Sequence, residues 1–146
     1  MKTTFPILLI ARIYIIISGL ALLSVSIMAM ISPQAVMDLV QVELTNTDAY
    51  SSIRGVYGGV GLTIFFTILY LIKKHLSHAL ALLALLWGFY ALSRIMTIFI
   101  EGELGSFGNQ WLYIESILFI LAIGLYIAIS KVPISKKNIT PISVLR

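Results

Sequence analysis

Long apolar segments separated by short polar stretches are the main pattern along the chain. Four segments qualify as membrane spans, and they run from about Ile13 to Ile31, Tyr50 to Ile72, Leu80 to Ile100 and Trp111 to Ser130. A helix of about 20 apolar residues crosses the roughly 30 Å hydrocarbon core of a bilayer. Isolated strands are excluded because they would leave backbone polar groups unsatisfied in lipid. The pattern predicts one all-α domain over residues 1–146, an integral membrane four-helix transmembrane bundle.

Residues that cap helices or form turns lie between the predicted spans. Ser32 followed by proline favours a short interfacial helix at about Pro33–Val40, on the outer side of the membrane. Thr47 and Asp48 are expected to cap the second span, because an acid at a helix N-terminus interacts favourably with the helix dipole. The stretch 102–109 contains three glycines and is expected to form a flexible turn before the fourth span.

The charged residues are distributed asymmetrically about these spans. One side carries Lys2, Arg12, Lys73, Lys74, Lys131, Lys136, Lys137 and Arg146, whereas Asp38, Glu43, Asp48, Glu101, Glu103 and Glu115 lie toward the other. Lysine and arginine are enriched on the cytoplasmic side of membrane spans. The asymmetry therefore predicts that both termini, including the tail 131–146, are cytoplasmic, together with the connection between the second and third spans.

Composition agrees with a membrane protein and excludes several classes of site. Hydrophobic residues make up 60% of the chain and charged residues only 11%, against about 25% charged residues in soluble domains. The net charge of +4 does not indicate nucleic acid, because the basic residues flank the spans. The absence of cysteine excludes disulfides and thiolate chemistry. His75 and His78 lack a third ligand nearby, so we expect no metal site and no cofactor.

A cleaved signal peptide is the main alternative for residues 1–30. The basic start and the small residues near Ala29 would allow cleavage. However, the apolar run is longer than the 7–15 residues, roughly, of a signal-peptide core. We therefore favour a first span that remains in the protein.

Three ionisable residues inside the predicted spans require an explanation. Arg54, Arg94 and Glu115 all fall at similar depth in the outer half, and Tyr57 shares a helical face with Arg54. A charged residue inside a span is costly and is usually paired or functional. Turning these faces inward would create a pocket with two arginines, a carboxylate and aromatic rings.

This cluster has a functional and a structural interpretation. In the functional one, Arg54 and Arg94 hold an anionic or zwitterionic group, Tyr57 supplies a hydroxyl and a ring face, and Glu115 balances the arginines when the site is empty. In the structural one, which we favour, an arginine pairs with Glu115 and fixes how the helices dock.

Small residues in the second span predict close helix packing. Gly55, Gly58, Gly59 and Gly61 include a G-x-x-x-G spacing, and such residues let helix backbones approach closely in lipid. The spacing allows dimerisation through this span. We favour packing inside the same chain, because the adjoining Arg54 indicates an interior face.

The stretch 48–59, Asp-Ala-Tyr-Ser-Ser-Ile-Arg-Gly-Val-Tyr-Gly-Gly, resembles a known family in combination with Ser93-Arg94-Ile95, Glu101-Gly102 and Glu115. That family, DUF4345, comprises small four-span bacterial membrane proteins and is known only as a domain of unknown function. The resemblance covers nearly the whole chain. It implies a bacterial inner-membrane location and the same four-span topology, and it supplies no catalytic residues.

Function is predicted only as a class. We expect a non-enzymatic membrane module that binds a lipid, a small amphiphile or a partner membrane protein, with homo-oligomerisation as one form of partnering. Phosphate loops, nucleophile elbows and dinucleotide fingerprints are absent from the sequence. The alternatives are a small carrier or channel subunit, and an intramembrane enzyme that uses Glu115 as a general base.

Overall fold

The computed structural model describes residues 4–131 and is helical throughout its ordered elements. The α-helices are α1 (Thr4–Ile31), α2 (Pro33–Asp38), α3 (Thr47–Ile53), α4 (Val60–Lys74), α5 (Leu76–Ile100) and α6 (Ser106–Ser130). A π-helical segment, Arg54–Gly59, joins α3 to α4, so that these three elements form one continuous span. Four helices are long and apolar enough to cross a membrane, which confirms the predicted fold class. Apart from Lys131, the predicted tail 131–146 lies outside the described residues.

The helix ends differ in detail from the sequence prediction. Asn46, rather than Thr47 or Asp48, caps the second span, because its side-chain oxygen accepts a hydrogen bond of 2.9 Å from the backbone N–H of Ala49. Asp48 lies in the first turn of α3, where its charge still complements the helix dipole. The fourth span begins at Ser106, so half of the predicted flexible stretch 102–109 is helical.

The connection between α1 and α3 is an ordered structure built around one glutamine. Pro33 starts α2 as predicted, although the Ser32 side chain makes no capping hydrogen bond. The Gln34 amide donates to the Asp38 carboxylate at 2.6 Å and to the Val42 carbonyl at 2.9 Å, and it accepts from the Leu44 N–H at 2.9 Å. This side chain therefore holds the segment against α2.

The spans are arranged as two antiparallel hairpins. The first hairpin pairs α1 with the second span, and the second hairpin pairs α5 with α6. The charges lie at opposite ends of the hairpins. Arg12, Lys73, Lys74 and Lys131 mark the basic end, and Asp38, Glu43, Asp48, Glu101 and Glu103 mark the acidic end.

Both hairpins share a hydrophobic core only in the basic half of the bundle. All four spans contribute to it, and its buried side chains are Ala11, Tyr14, Ile15, Ile68, Ala79, Leu80, Leu83, Ala84, Trp87 and Ala122. A second, smaller cluster of Ala29, Val36 and Met37 lies at the acidic end and is packed by residues of the first hairpin alone. The hairpins are thus closed together in the basic half, whereas contacts in the acidic half stay mostly within each hairpin.

Large apolar side chains cover the outer surface of the bundle. Phe66, Phe89, Phe99 and Ile120 are each more than three-fifths exposed. A soluble monomer rarely exposes apolar surface this extensive, whereas lipid tails accommodate it. The exposed apolar surface and the four long apolar helices are those of a multi-pass membrane protein.

Candidate ligand-binding cleft

Arg94 and Glu115 form a two-point ion pair between α5 and α6. The Arg94 Nε donates to Glu115 Oε2 at 2.7 Å, and Nη2 donates to Oε1 at 2.9 Å. The Glu115 side chain is 2% exposed and that of Arg94 is 24% exposed. A planar guanidinium that matches both carboxylate oxygens sets the relative rotation of two helices. The pair therefore acts first as an anchor of the second hairpin.

The structure does not bring Arg54 to this pair. Instead, the Arg54 Nε donates at 3.1 Å to the backbone carbonyl of Met30, at the end of α1. Arg54 and Met30 both belong to the first hairpin, and the π-helical segment that carries Arg54 contacts α1 far more than it contacts the second hairpin. The predicted pocket with two arginines around one carboxylate is therefore not formed, and Arg54 lies at the rim of the first hairpin.

The π-helical segment explains this difference. A π turn inserts one extra residue, so that the Val60 N–H bonds to the Gly55 carbonyl five residues earlier. The extra residue rotates the side chains before the insertion relative to those after it. Residues that would share a face of an uninterrupted α-helix therefore point in different directions. The face shared by Arg54 and Gly61 in the sequence prediction is divided at this point.

Two tyrosines flank the space between the hairpins. Tyr57 of the π-helical segment is 41% exposed, and Tyr90 of α5 is 43% exposed. The Tyr90 side chain lies near the side chains of Tyr57, Arg94 and Glu115. We call the space between Tyr57 on one side and Tyr90 with Arg94 on the other the acidic-half cleft.

A buried polar cluster lies below this cleft, where the shared core begins. The Tyr14 hydroxyl donates to the Leu118 carbonyl at 2.8 Å and thereby joins α1 to α6. Ser18 and Trp87 lie beside that hydroxyl, and both are buried. The Tyr14 hydroxyl is an acceptor within their reach, but within the described residues neither Ser18 Oγ nor Trp87 Nε1 has good hydrogen-bond geometry to it or to any other group. Trp87 also stacks edge-on against Tyr90, with ring centroids 6.1 Å apart, which connects the cluster to the cleft.

Sequence reasoning did not identify Tyr14 and Ser18 as site residues. A signal for them exists, because they are four residues apart on one face of an otherwise apolar span. Tyr90, four residues before Arg94 on α5, is by contrast one of the aromatic rings that the sequence prediction placed on the Arg94 face. Polar residues that share a face inside a span indicate a polar surface within the bundle.

The glycines of the second span divide into two groups. At Gly61 an added Cβ would overlap Ser26 Oγ of α1, and at Gly58 it would meet the Met30 side chain. Gly55 has nothing within 4 Å of an added Cβ, and at Gly59 only the Arg54 carbonyl lies that close. Gly58 and Gly61 therefore let α1 pack closely within the chain, whereas Gly55 and Gly59 do not contact another helix.

The described residues contain no cluster of metal-ligating side chains. Within residues 4–131, no group of three or more histidine, cysteine, aspartate or glutamate side chains could hold a metal ion. The His75 and His78 rings are 5.3 Å apart at the start of α5 and stack edge-on.

Comparison with known proteins gives one match. A family model described as "Domain of unknown function (DUF4345)" matches residues 10–126, which is most of the chain. No curated protein and no solved structure matches the chain.

Proposed function

Because the chain belongs to the DUF4345 family, whose description assigns no activity, we propose from the geometry that it is a non-enzymatic membrane module that binds an amphiphile in the acidic-half cleft. The amphiphile would place a polar head group beside Tyr90 and Arg94. Its chain would lie against the exposed apolar faces of the hairpins. The proposed site residues are Tyr57, Arg94 and Tyr90 at the cleft, with Arg54 at its rim and Ser18 and Trp87 at its floor.

The observation that carries this proposal is the pair of buried donors without partners. Ser18 Oγ and Trp87 Nε1 are each shielded from solvent; both lie beside the Tyr14 hydroxyl, but neither has good hydrogen-bond geometry to it or to another acceptor in the described residues. A buried polar group without a partner costs about 1–3 kcal/mol. An oxygen atom of a bound molecule would accept from both donors and remove this cost.

The ion pair defines the chemistry of the head group. Two of the Arg94 nitrogens are engaged by Glu115, so the pair is neutral as a unit. The remaining N–H groups of Arg94 and the Tyr90 and Tyr57 hydroxyls offer hydrogen bonds rather than a large net charge. This favours a zwitterionic or singly anionic head group rich in oxygen acceptors, and Arg54 at the rim supplies the additional positive charge.

The proposed orientation places the cleft in the outer leaflet. Lys73, Lys74 and Arg12 lie at the basic end, and basic residues are enriched on the cytoplasmic side. The acidic end and the cleft would then face away from the cytoplasm. In this orientation the opening between the hairpins is accessible to amphiphiles that diffuse laterally in the outer leaflet.

Binding is favoured over the two alternative functions. A general base needs an accessible carboxylate, whereas Glu115 is buried and both of its oxygens already accept from Arg94. A carrier or channel needs a polar path through the bundle. In the described residues the polar cluster ends at Tyr14, and the shared core beyond it is apolar.

We predict that Trp87→Phe lowers ligand retention without lowering stability. The change keeps an aromatic ring but deletes the unpartnered Nε1–H, so the folded state loses no internal hydrogen bond. Native mass spectrometry of the purified protein would measure co-purified amphiphile. We expect about fivefold less bound amphiphile, the equivalent of one lost hydrogen bond.

Trp111→Phe is the matched control, because it is the same substitution in α6 and Trp111 is not among the proposed site residues. Both variants are compared by thermal unfolding in the same detergent. Equal retention in the wild type and Trp87→Phe, or an equal loss in both variants, would contradict binding at the cleft floor.

A further inference from the structure

A pocket lies at the basic end of the bundle, between the two helices of the first hairpin. It has a volume of about 350 Å³ and is lined by Arg12 of α1 and by Ile72 and Lys73 of α4. Both cationic side chains are exposed, and Ile72 is half-buried beside them. The pocket therefore combines two positive charges with an apolar wall.

No acidic side chain of the chain supplies a counter-charge for this pocket. All six acidic residues lie in the acidic half, from Asp38 and Glu43 to Glu115. Within residues 4–131 the one ion pair is that between Arg94 and Glu115. Two cations held beside one pocket repel each other, so an anion from outside the chain would be stabilised there.

The side chain of Lys74, the residue after Lys73, contacts the Tyr70 ring instead of the pocket. Its Nζ lies 5.2 Å from the centre of the Tyr70 ring and makes a cation–π contact. Of these two neighbouring lysines, Lys73 lines the pocket and Lys74 does not. The pocket is therefore a defined site rather than part of a generally basic surface.

We propose that Arg12 and Lys73 bind the phosphate group of an anionic phospholipid at the basic end. The guanidinium of Arg12 presents a planar fork to two phosphate oxygens, and the Lys73 ammonium acts as a point charge. Ile72 would contact the glycerol and the first methylenes of the chains. Basic pockets between transmembrane helices on the cytoplasmic side bind anionic head groups in this way.

This site is independent of the proposed amphiphile cleft. The two lie at opposite ends of the spans and share no lining residue. The loss of phosphatidylglycerol caused by Arg12→Gln or Lys73→Gln should therefore be the same in a Trp87→Phe background, so failure of one proposal is distinguishable from failure of the other.

Native mass spectrometry tests the site with the purified chain in detergent and added phosphatidylglycerol or phosphatidylcholine. We expect the wild type to retain phosphatidylglycerol in preference to phosphatidylcholine. Arg12→Gln and Lys73→Gln should each lower that retention about fivefold, in line with the contribution of one basic residue near an anionic surface. Lys74→Gln removes the same charge one residue away and should have little effect.

A third arm adds inorganic phosphate without lipid. Binding of phosphate that depends on Arg12 and Lys73, with no preference for phosphatidylglycerol, would assign the site to free phosphate rather than to a lipid. An equal loss of lipid in Lys73→Gln and Lys74→Gln would overturn the proposal, as would equal retention of both lipids by the wild type. Thermal unfolding of each variant shows that the fold is retained.

Discussion

Arg94→Leu should destabilise the protein by about 3–5 kcal/mol, the range observed when one partner of a buried ion pair is removed. The change leaves the Glu115 carboxylate without its two hydrogen-bond donors at a position that is 2% exposed. Glu115→Leu should cost less, because the Arg94 side chain is 24% exposed and its long stem can carry the charge toward the interface. Denaturant titration in mixed micelles would measure the free energy of unfolding of each variant.

The double variant Arg94→Leu/Glu115→Leu provides the decisive comparison. Replacing both members of a buried pair by apolar residues removes the unpaired charge and is often close to neutral. We therefore expect the double variant to recover most of the stability lost in Arg94→Leu. Arg54→Leu is the control, since Arg54 is exposed and bonds a single carbonyl. If Arg94→Leu is no less stable than Arg54→Leu, the pair is not the anchor described above.

Gly61→Val should weaken packing of the first hairpin by about 1–3 kcal/mol, the usual cost of overfilling a packed interface. An added Cβ at this position would overlap Ser26 Oγ, which is buried and donates at 2.7 Å to the Leu22 carbonyl. Relieving the overlap requires either rotation of Ser26, which breaks that hydrogen bond, or displacement of α1. Thermal unfolding in detergent would show the loss as a lower midpoint.

Gly55→Val is the matched control for this packing prediction. It is the same substitution in the same span, but nothing lies within 4 Å of an added Cβ at Gly55. Its stability should stay within about 0.5 kcal/mol of the wild type, as expected for a surface position. Equal losses in the two variants would show that the overlap with Ser26 does not determine the packing of α1.

The fold was predictable because the apolar residues of each span are sufficient to identify it as a membrane helix. An apolar run such as Leu80–Ile100 is sufficient to predict a membrane helix, and the structure has a helix there, Leu76–Ile100. The helix ends were less predictable, since they depend on which of several neighbouring residues makes a bond. Asn46, Thr47 and Asp48 are all plausible caps by type, and only the backbone geometry selects Asn46.

The candidate site was predictable only in part. Charge and depth predicted that an arginine, Arg54 or Arg94, pairs with Glu115, because a buried carboxylate inside a span needs a cation, but they did not select between the two. Arg54 met the same criteria but bonds the Met30 carbonyl, since the π turn beside it changes the helix register. A single-residue insertion of this kind leaves no hydrophobic signature from which it could be predicted.

The polar cluster below the cleft depends on contacts between distant segments. Tyr14 reaches the Leu118 carbonyl across more than one hundred residues of sequence, from α1 to α6. Packing of the shared core around Leu83 and Ala122 determines which spans are neighbours and how each span is rotated. Periodicity assigns residues to faces of one helix, but it does not say which helix lies opposite.

The closed basic half and the open acidic half suggest how the proposed functions are divided. Shared packing in the basic half gives a fixed base, with the phosphate pocket of Arg12 and Lys73 at its end. The π-helical segment and α3 make few contacts with the second hairpin, so the proposed amphiphile would enter on that side without unfolding either hairpin. Gly58 and Gly61 pack closely against α1 and so hold the two helices of the first hairpin together.

The orientation of the bundle in the membrane is the claim on which the proposed function depends, and cysteine labelling tests it directly. The native chain has no cysteine, so Gln41→Cys at the acidic end and His75→Cys at the basic end each introduce a single thiol. A membrane-impermeant maleimide is added to intact bacterial cells that express each variant. We predict that Gln41→Cys is labelled in intact cells and that His75→Cys is labelled only after lysis. The reverse pattern would place the cleft in the cytoplasmic leaflet and contradict the account.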